Sequence, residues 1–288
     1  MLSINIKKVV RPMERQKRIA VINDFSGFGR CSLTVSIPII SAMGIQCCAL
    51  PTAIFSNHTG YDDYFFDDYT DKMEYYYSKW EKLELTFDGI YTGFLGSERQ
   101  VDIVSGFIKR FAKNDTRIIV DPVMGDDGRT YATLTPGLCR RLGRLARHSD
   151  IMTPNLTEAC ILTGTPYSGK LTDTDALLYI CKKLVDMGGK NIVITGIDQG
   201  NNIGNFIYNE NGSYSMYCTP FSGSRRAGTG DVFASVIAAD AINDIPFEES
   251  VKTAASFVAK AITKSDEMGI PAQDGVCFEL FMNDLIQQ

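Results

Sequence analysis

Short runs of β-branched and apolar residues alternate with longer stretches where apolar positions recur every three or four residues. Residues 18–23 (RIAVIN), 45–50, 88–91, 117–120, 150–153 and 191–195 have strand character. Residues 32–43, 98–112, a stretch from Leu156 and 172–188 have helical periodicity between them. Residues 203–208 and 213–218 flank Asn211-Gly212, a strong hairpin signal. Two helices, 232–242 and 248–264, and an amphipathic stretch near 277–286 close the pattern. Strands that are apolar throughout are buried on both faces. The pattern therefore predicts an α/β fold, with a mostly parallel central sheet, helices on both faces and an antiparallel edge hairpin. No repeat or linker divides the chain, so one domain is expected over residues 18–288, after a flexible extension at 1–17. Residues 61–80 are dense in aromatics and acids. They read either as a lid or subunit contact, or as a helix with an apolar stripe and an acidic face.

Composition narrows the function. The chain has 288 residues, 44% hydrophobic and 22% charged, which allows a large core without disulfides or metals. A net charge of -5 argues against general nucleic-acid binding. No apolar run is long enough for a membrane helix, and the N-terminus lacks the apolar core of a signal peptide. Eight cysteines without a C-x-x-C pair suit a reduced, cytoplasmic setting. Only His58 and His148 are present, which disfavours His-based metal sites and Ser-His-Asp catalysis.

The chemistry gathers where strands end. Gly228-Thr229-Gly230-Asp231 opens an apolar helix. Glycines turn backbone N–H groups toward one point, and the helix start adds unpaired amides and positive potential. That combination suits a phosphate. A carboxylate in such a site makes sense if Asp231 takes a proton from an alcohol that attacks the phosphate. The alternative is a capped helix with Asp in its first turn. Polar segments also follow the other strands: Asp24, residues 55–60, 92–96, 121–126, 153–158, and Thr195-Gly196. Ligands of open parallel sheets bind at that edge. Asp121, Asp126 and Glu158 offer hard oxygen ligands, and Asp126 with Glu158 suits Mg2+; each alone also reads as a helix cap or ion pair. Gly164 to Lys170 has P-loop spacing, but Leu171 replaces the metal-binding hydroxyl and a helix precedes it. Gly27-Phe28-Gly29 lacks the third glycine of a dinucleotide fingerprint, with Ser32 in its place.

These motifs together resemble the ribokinase-like superfamily, and within it the vitamin B6 kinases. The carriers are Phe55-Ser56-Asn57-His58-Thr59, Thr92-Gly93-Phe94-Leu95-Gly96, Asp121-Pro122-Val123-Met124-Gly125, Thr153-Pro154-Asn155 with Glu158, and Gly228-Thr229-Gly230-Asp231. The resemblance implies ATP-dependent phosphorylation of the 5'-hydroxymethyl group of pyridoxal, pyridoxine or pyridoxamine. It casts Asp231 as base and the amides of Gly228, Thr229 and Gly230 as the anion hole. Asp121, Asn155, Glu158, Thr195, Gly196 and Thr229 then contact the nucleotide. Asp126 and Glu158 serve Mg2+, and Asp121 and Thr153 lie near a monovalent cation, K+ or Na+. Asp24, Phe55, Thr59 and Phe94 surround the pyridine ring, and the family is commonly dimeric. Asp24 stands where many B6 kinases carry Ser, and Phe94 where many carry Tyr. Hydroxymethylpyrimidine kinases of the same superfamily are the competing reading. A non-catalytic sensor is a third, which the intact Asp231 and acid set disfavour.

Overall fold

The computed structural model describes residues 15–131, 134–169, 173–221 and 223–286. Its first half runs β1 (Arg18–Phe28), α1 (Leu33–Ala42), β2 (Gln46–Asn57), β3 (Phe66–Asp68), α2 (Thr70–Lys82), β4 (Gly89–Thr92), α3 (Glu98–Phe111) and β5 (Arg117–Val120). A small hairpin follows, β6 (Gly125–Asp126) and β7 (Arg129–Thr130), then α4 (Pro136–Leu142), β8 (Ile151–Met152), α5 (Leu156–Thr163) and α6 (Thr174–Asp186). The chain ends with β9 (Asn191–Asp198), β10 (Asn202–Tyr208), β11 (Tyr214–Pro220), α7 (Thr229–Ile242) and α8 (Phe247–Glu267).

Nine strands form one sheet in the order β11-β10-β9-β8-β5-β4-β1-β2-β3. The strands from β9 to β2 are parallel, whereas β10–β11 and β3 add antiparallel edges at opposite ends. The hairpin edge was expected; β3 was not. Its three residues lie among the exposed aromatics Phe65 and Phe66, and carry no alternation that marks a strand.

Alternation along β1 explains the two-sided core. Ile19 and Val21 pack with α1, α7 and α8, while Ala20 and Ile22 pack with α2 and α3. A third cluster holds α5 and α6 against β9 and β10. Residues 61–80 resolve into β3 and α2, which buries Met73 and Tyr77 and leaves Tyr75 exposed. The extension expected at 1–17 lies mostly outside the described residues. Arg15 grips Asp88 through two hydrogen bonds of 2.8 and 2.9 Å. All eight cysteines are unpaired. No helix among the described residues is long and apolar enough to cross a membrane.

Three strands run further than their apolar runs, and this moves motifs from loops into the sheet. β1 continues past an irregularity at Asn23–Phe25, so Asp24 lies within it. β2 continues through Phe55 and Asn57, and β9 through Thr195 and Gly196. Polar residues at these ends still satisfy the ladder, because sheet pairing uses the backbone whatever the side chain.

Candidate active site

α7 begins without a capping side chain. Gly228 occupies its N-cap in the left-handed conformation, φ 70°. A Cβ there would run into the Arg30 carbonyl, so only glycine lets the loop close on the 29–32 turn. Gly230 differs: nothing lies within 4 Å of where its Cβ would be. The open space over the first turn, with its amides uncapped, forms a cradle of a kind that suits an anion.

Asp231 sits at the floor of that cradle. Its carboxylate accepts a hydrogen bond from Asn23 Nδ2 at 3.1 Å and another from the Ser32 backbone amide. Burial pushes its pKa up to about 6, with nearby Asp24 adding to the rise and the two donors opposing it. It is therefore an anion at neutral pH with appreciable basicity, as a general base requires. Asn23 was read from sequence only as the end of a strand. It is fully buried, and Gly93 leaves room for its side chain. Its position just before a strand-end acid was the available signal.

A cleft of about 250 Å³ runs from Asp231 along the carboxyl ends of β5, β8 and β9. Asp121, Asp126, Thr153, Asn155, Glu158, Thr195, Gly196, Thr229 and Gly230 all line it. Asp121 is buried and accepts from Thr153 Oγ1 at 3.0 Å. Burial raises its pKa well above the ordinary range, and the charge of Glu158 raises it further. Glu158 is pushed up to about 8, mainly by burial. Its oxygens accept from the Met124 and Asn155 amides at 3.0 and 2.8 Å. Asn155 reciprocates by capping Glu158 N at 2.9 Å, a complete capping box on α5. Thus Glu158 and Asn155 do structural work whatever they bind. Asp126 is exposed, 3.7 Å from Arg225, which also pairs with Asp127. Arg226 donates to the Pro271, Gly275 and Ile270 carbonyls and to Asp266, so it clamps the loop where that loop borders the cleft.

Among the described residues no group of three or more His, Cys, Asp and Glu side chains is placed to hold a metal. Two buried carboxylates facing the same cleft with raised pKa values are nevertheless short of positive charge. That donor set fits a hard cation such as Mg2+, which commonly takes only one or two carboxylates, with water and phosphate oxygens as its other ligands.

The four residues expected at a ring lie on the other side of Asp231, among β1, β2 and β4; none lines this cleft. Phe55 is buried and touches Phe66 and Phe94, with centroids 4.8 and 6.2 Å apart. Phe94 N donates to Asn23 Oδ1 at 2.8 Å. Thr59 is exposed on the loop after β2. The Asp24 carboxylate is 5% exposed and turned to Ser26 and Ser32, accepting at 2.8 and 2.6 Å. It braces the start of α1 instead of standing open. His58 holds its own loop: Nδ1 accepts from Gly60 N at 3.0 Å, and Nε2 faces the Gln273 carbonyl at 2.7 Å.

Sheet order and site geometry define a ribokinase-like kinase. The sequence matches the phosphomethylpyrimidine kinase family over residues 39–275, and the chain belongs to that family. A Bacteroides thetaiotaomicron protein, provisionally described as a phosphomethylpyrimidine kinase and crystallised with pyridoxal, superposes with a TM-score of 0.90. It is 38% identical, with 95% of this chain and 96% of that one covered. A pyridoxal kinase from Corynebacterium diphtheriae is 25% identical over 83% of this chain and 86% of its own length. A hydroxymethylpyrimidine/phosphomethylpyrimidine kinase from Aquifex aeolicus is also 25% identical, over 66% of this chain and 74% of its own.

Two predictions follow from the geometry. Gly230→Ala should fold with unchanged or slightly raised stability, since Ala is the better helix former, yet lose turnover because its methyl fills the cradle. Gly228→Ala should destabilise the fold outright. Melting curves and activity on both variants check the contrast.

The raised carboxylate pKa values set the second. Folded Glu158 and Asp231 hold protons to about 8 and 6, above the ordinary carboxyl values of 4.5 and 3.8. Unfolding releases those protons between the two values, so stability is greatest at acid pH and is lost as pH rises through the folded values. Metal-free protein should melt at a lower temperature at pH 8 than at pH 5. Added Mg2+ should remove much of that difference. A melting temperature that rises from pH 5 to 8 without metal contradicts this.

Proposed function

We propose that the chain transfers the γ-phosphoryl group of ATP to the 5'-hydroxymethyl group of a vitamin B6 vitamer: pyridoxal, pyridoxine or pyridoxamine. The observation that carries the reading is the Bacteroides thetaiotaomicron neighbour, 38% identical over nearly the whole chain and crystallised with pyridoxal.

In this reading the alcohol lies between Asp231 and the aromatic wall of Phe55 and Phe94, with Thr59 and Asp24 at the border. Asp231 accepts the hydroxyl proton as the oxygen attacks. General-base help of this kind contributes about 10²–10⁴-fold. The amides of Gly228, Thr229 and Gly230 take up charge on the transferring group, where loss of one comparable donor costs on the order of 10²–10³. Asp121, Asn155, Thr195, Gly196 and Thr229 border the nucleotide. Asp126 and Glu158 would hold Mg2+, directly or through water, and the ion would supply positive charge against that of the phosphates. Asp121 and Thr153, joined by their hydrogen bond, would face K+ or Na+. The remaining parts of the reading are a cytoplasmic homodimer that engages neither nucleic acid nor membrane, and a single kinase domain over residues 18–288.

Phosphorylation of hydroxymethylpyrimidine is the second reading, favoured by the family match and the Aquifex aeolicus relative. Both kinds of substrate are planar heteroaromatic rings that carry a hydroxymethyl group, so the same base and cradle serve either.

An ADP-release assay on the purified protein with MgATP and each vitamer, or the pyrimidine, separates the two. The B6 reading predicts a higher kcat/KM for at least one vitamer than for the pyrimidine; the reverse order establishes the second. Asp231→Asn should lose at least about 10²-fold in kcat while ATP binding is retained. Retained turnover would remove the assigned base.

Asn23→Ala offers a finer test. Asn23 donates to the Asp231 carboxylate and so favours its charged form. Wild-type activity should fall as pH drops through about 6. In the variant the acidic limb should move to higher pH, and an unmoved limb would deny Asn23 this role.

A further inference from the structure

Beyond its phosphate end the cleft passes between β9–β11 and α8, walled by Ile203, Phe221, Val258 and Ile262. One side chain does not match that apolar setting. Asn205 of β10 lines the cleft and is 4% exposed. Among the described residues no hydrogen bond reaches its amide group. The amide meets the open cleft instead of a protein partner, so a ligand seated there can pair with it.

The backbone directs Asn205 into the cleft. Gly204 pairs with Ile197 and Phe206 with Ile194, so Thr195 and Gly196 of β9 together oppose Asn205. Gly196 takes the left-handed conformation that this bulge needs, φ 74°. Bulges beside sites re-aim side chains. Strand alternation places Phe206 under the α6 side and Asn205 on the α8 side. There the facing helix presents Ala255 and Ala259, small residues that leave a slot for a flat group. β10 lies three strand spacings from β5, roughly 14 Å, which separates this slot from the carboxylates at the phosphate end.

An asparagine amide sets an acceptor beside a donor. That arrangement matches an adenine edge, where the 6-amino group donates and an adjacent ring nitrogen accepts. We propose that Asn205 selects the nucleotide base: its Oδ1 accepts from the 6-amino group of adenine and its Nδ2 donates to the neighbouring ring nitrogen. The inference rests on the kinase reading above and adds to it the residue that recognises the co-substrate's base.

The test compares ATP with purine riboside triphosphate, the same nucleotide without its 6-amino group. Affinities come from calorimetric titration, and turnover is followed in parallel. Wild-type protein should bind ATP about 5- to 150-fold more tightly, the range of a good bidentate amide–base pair. Asn205→Leu keeps the branched shape and removes the amide. It should bring the two affinities within about twofold of each other by weakening ATP, with KM for the alcohol unchanged. Equal binding by the wild type overturns the proposal, as does a variant that keeps the wild-type ratio. Should Asn205→Leu fail to fold, as judged by circular dichroism, the wild-type comparison decides alone. Absence of turnover with every alcohol would count against the kinase reading instead, and the binding ratio would still test Asn205.

Discussion

Asn23 is fully buried and makes three hydrogen bonds with its side chain: it accepts from the amides of Asp24 and Phe94 and donates to Asp231. Those bonds join β1, the end of β4 and the first turn of α7. The rest of the site depends on this junction. A helix N-terminus attracts anions, and an unrestrained carboxylate there would compete with the phosphate for the same amides. Held by Asn23 and by the Ser32 amide, Asp231 keeps its charge at the floor and leaves the Gly230 side of the cradle open.

The same constraint accounts for local strain. Arg30 and Ser32 both adopt positive φ, at 46° and 57°, although neither is glycine. Such conformations are uncommon outside Gly, Asn and Asp, and persist only where surrounding contacts impose them. Here the contacts are identifiable: Gly228 closes on the Arg30 carbonyl, and Ser32 Oγ is fixed to Asp24. Asp24 therefore acts on the site through the backbone it braces. Its burial raises the pKa of its own carboxyl, and its proximity adds to the rise at Asp231.

Much of this was legible in the sequence. Apolar strands alternating with periodic helices gave the doubly covered parallel sheet, and Asn211-Gly212 gave the edge hairpin. The cluster of polar motifs at strand ends gave the cleft residues from Asp121 to Asp231. What the sequence hid was set by tertiary contacts. Nothing in residues 66–68 signals a strand, because β3 forms by pairing with β2 alone. α4 and the β6–β7 hairpin are too short to carry periodicity. Asn23 looked like a strand end because its partners lie 71 and 208 residues away. Asp24 was read only as a ring neighbour, because the serines that engage it, Ser26 and Ser32, are brought to its carboxylate by the end of β1 and the start of α1. Glu158 shows the reverse case: the Asn-x-x-Glu spacing is a capping box, and the glutamate of that box is also the cleft acid.

The central claim is that one junction holds a base and a phosphate cradle close enough to act on the same alcohol. The most direct measurement is a crystal structure of the protein with pyridoxal, Mg2+ and a non-hydrolysable ATP analogue. The account predicts the hydroxymethyl oxygen within roughly 2.6–3.2 Å of Asp231, and the terminal phosphate over Gly230 in line with it. An alcohol bound away from Asp231, with phosphate seated elsewhere than the α7 N-terminus, would contradict it.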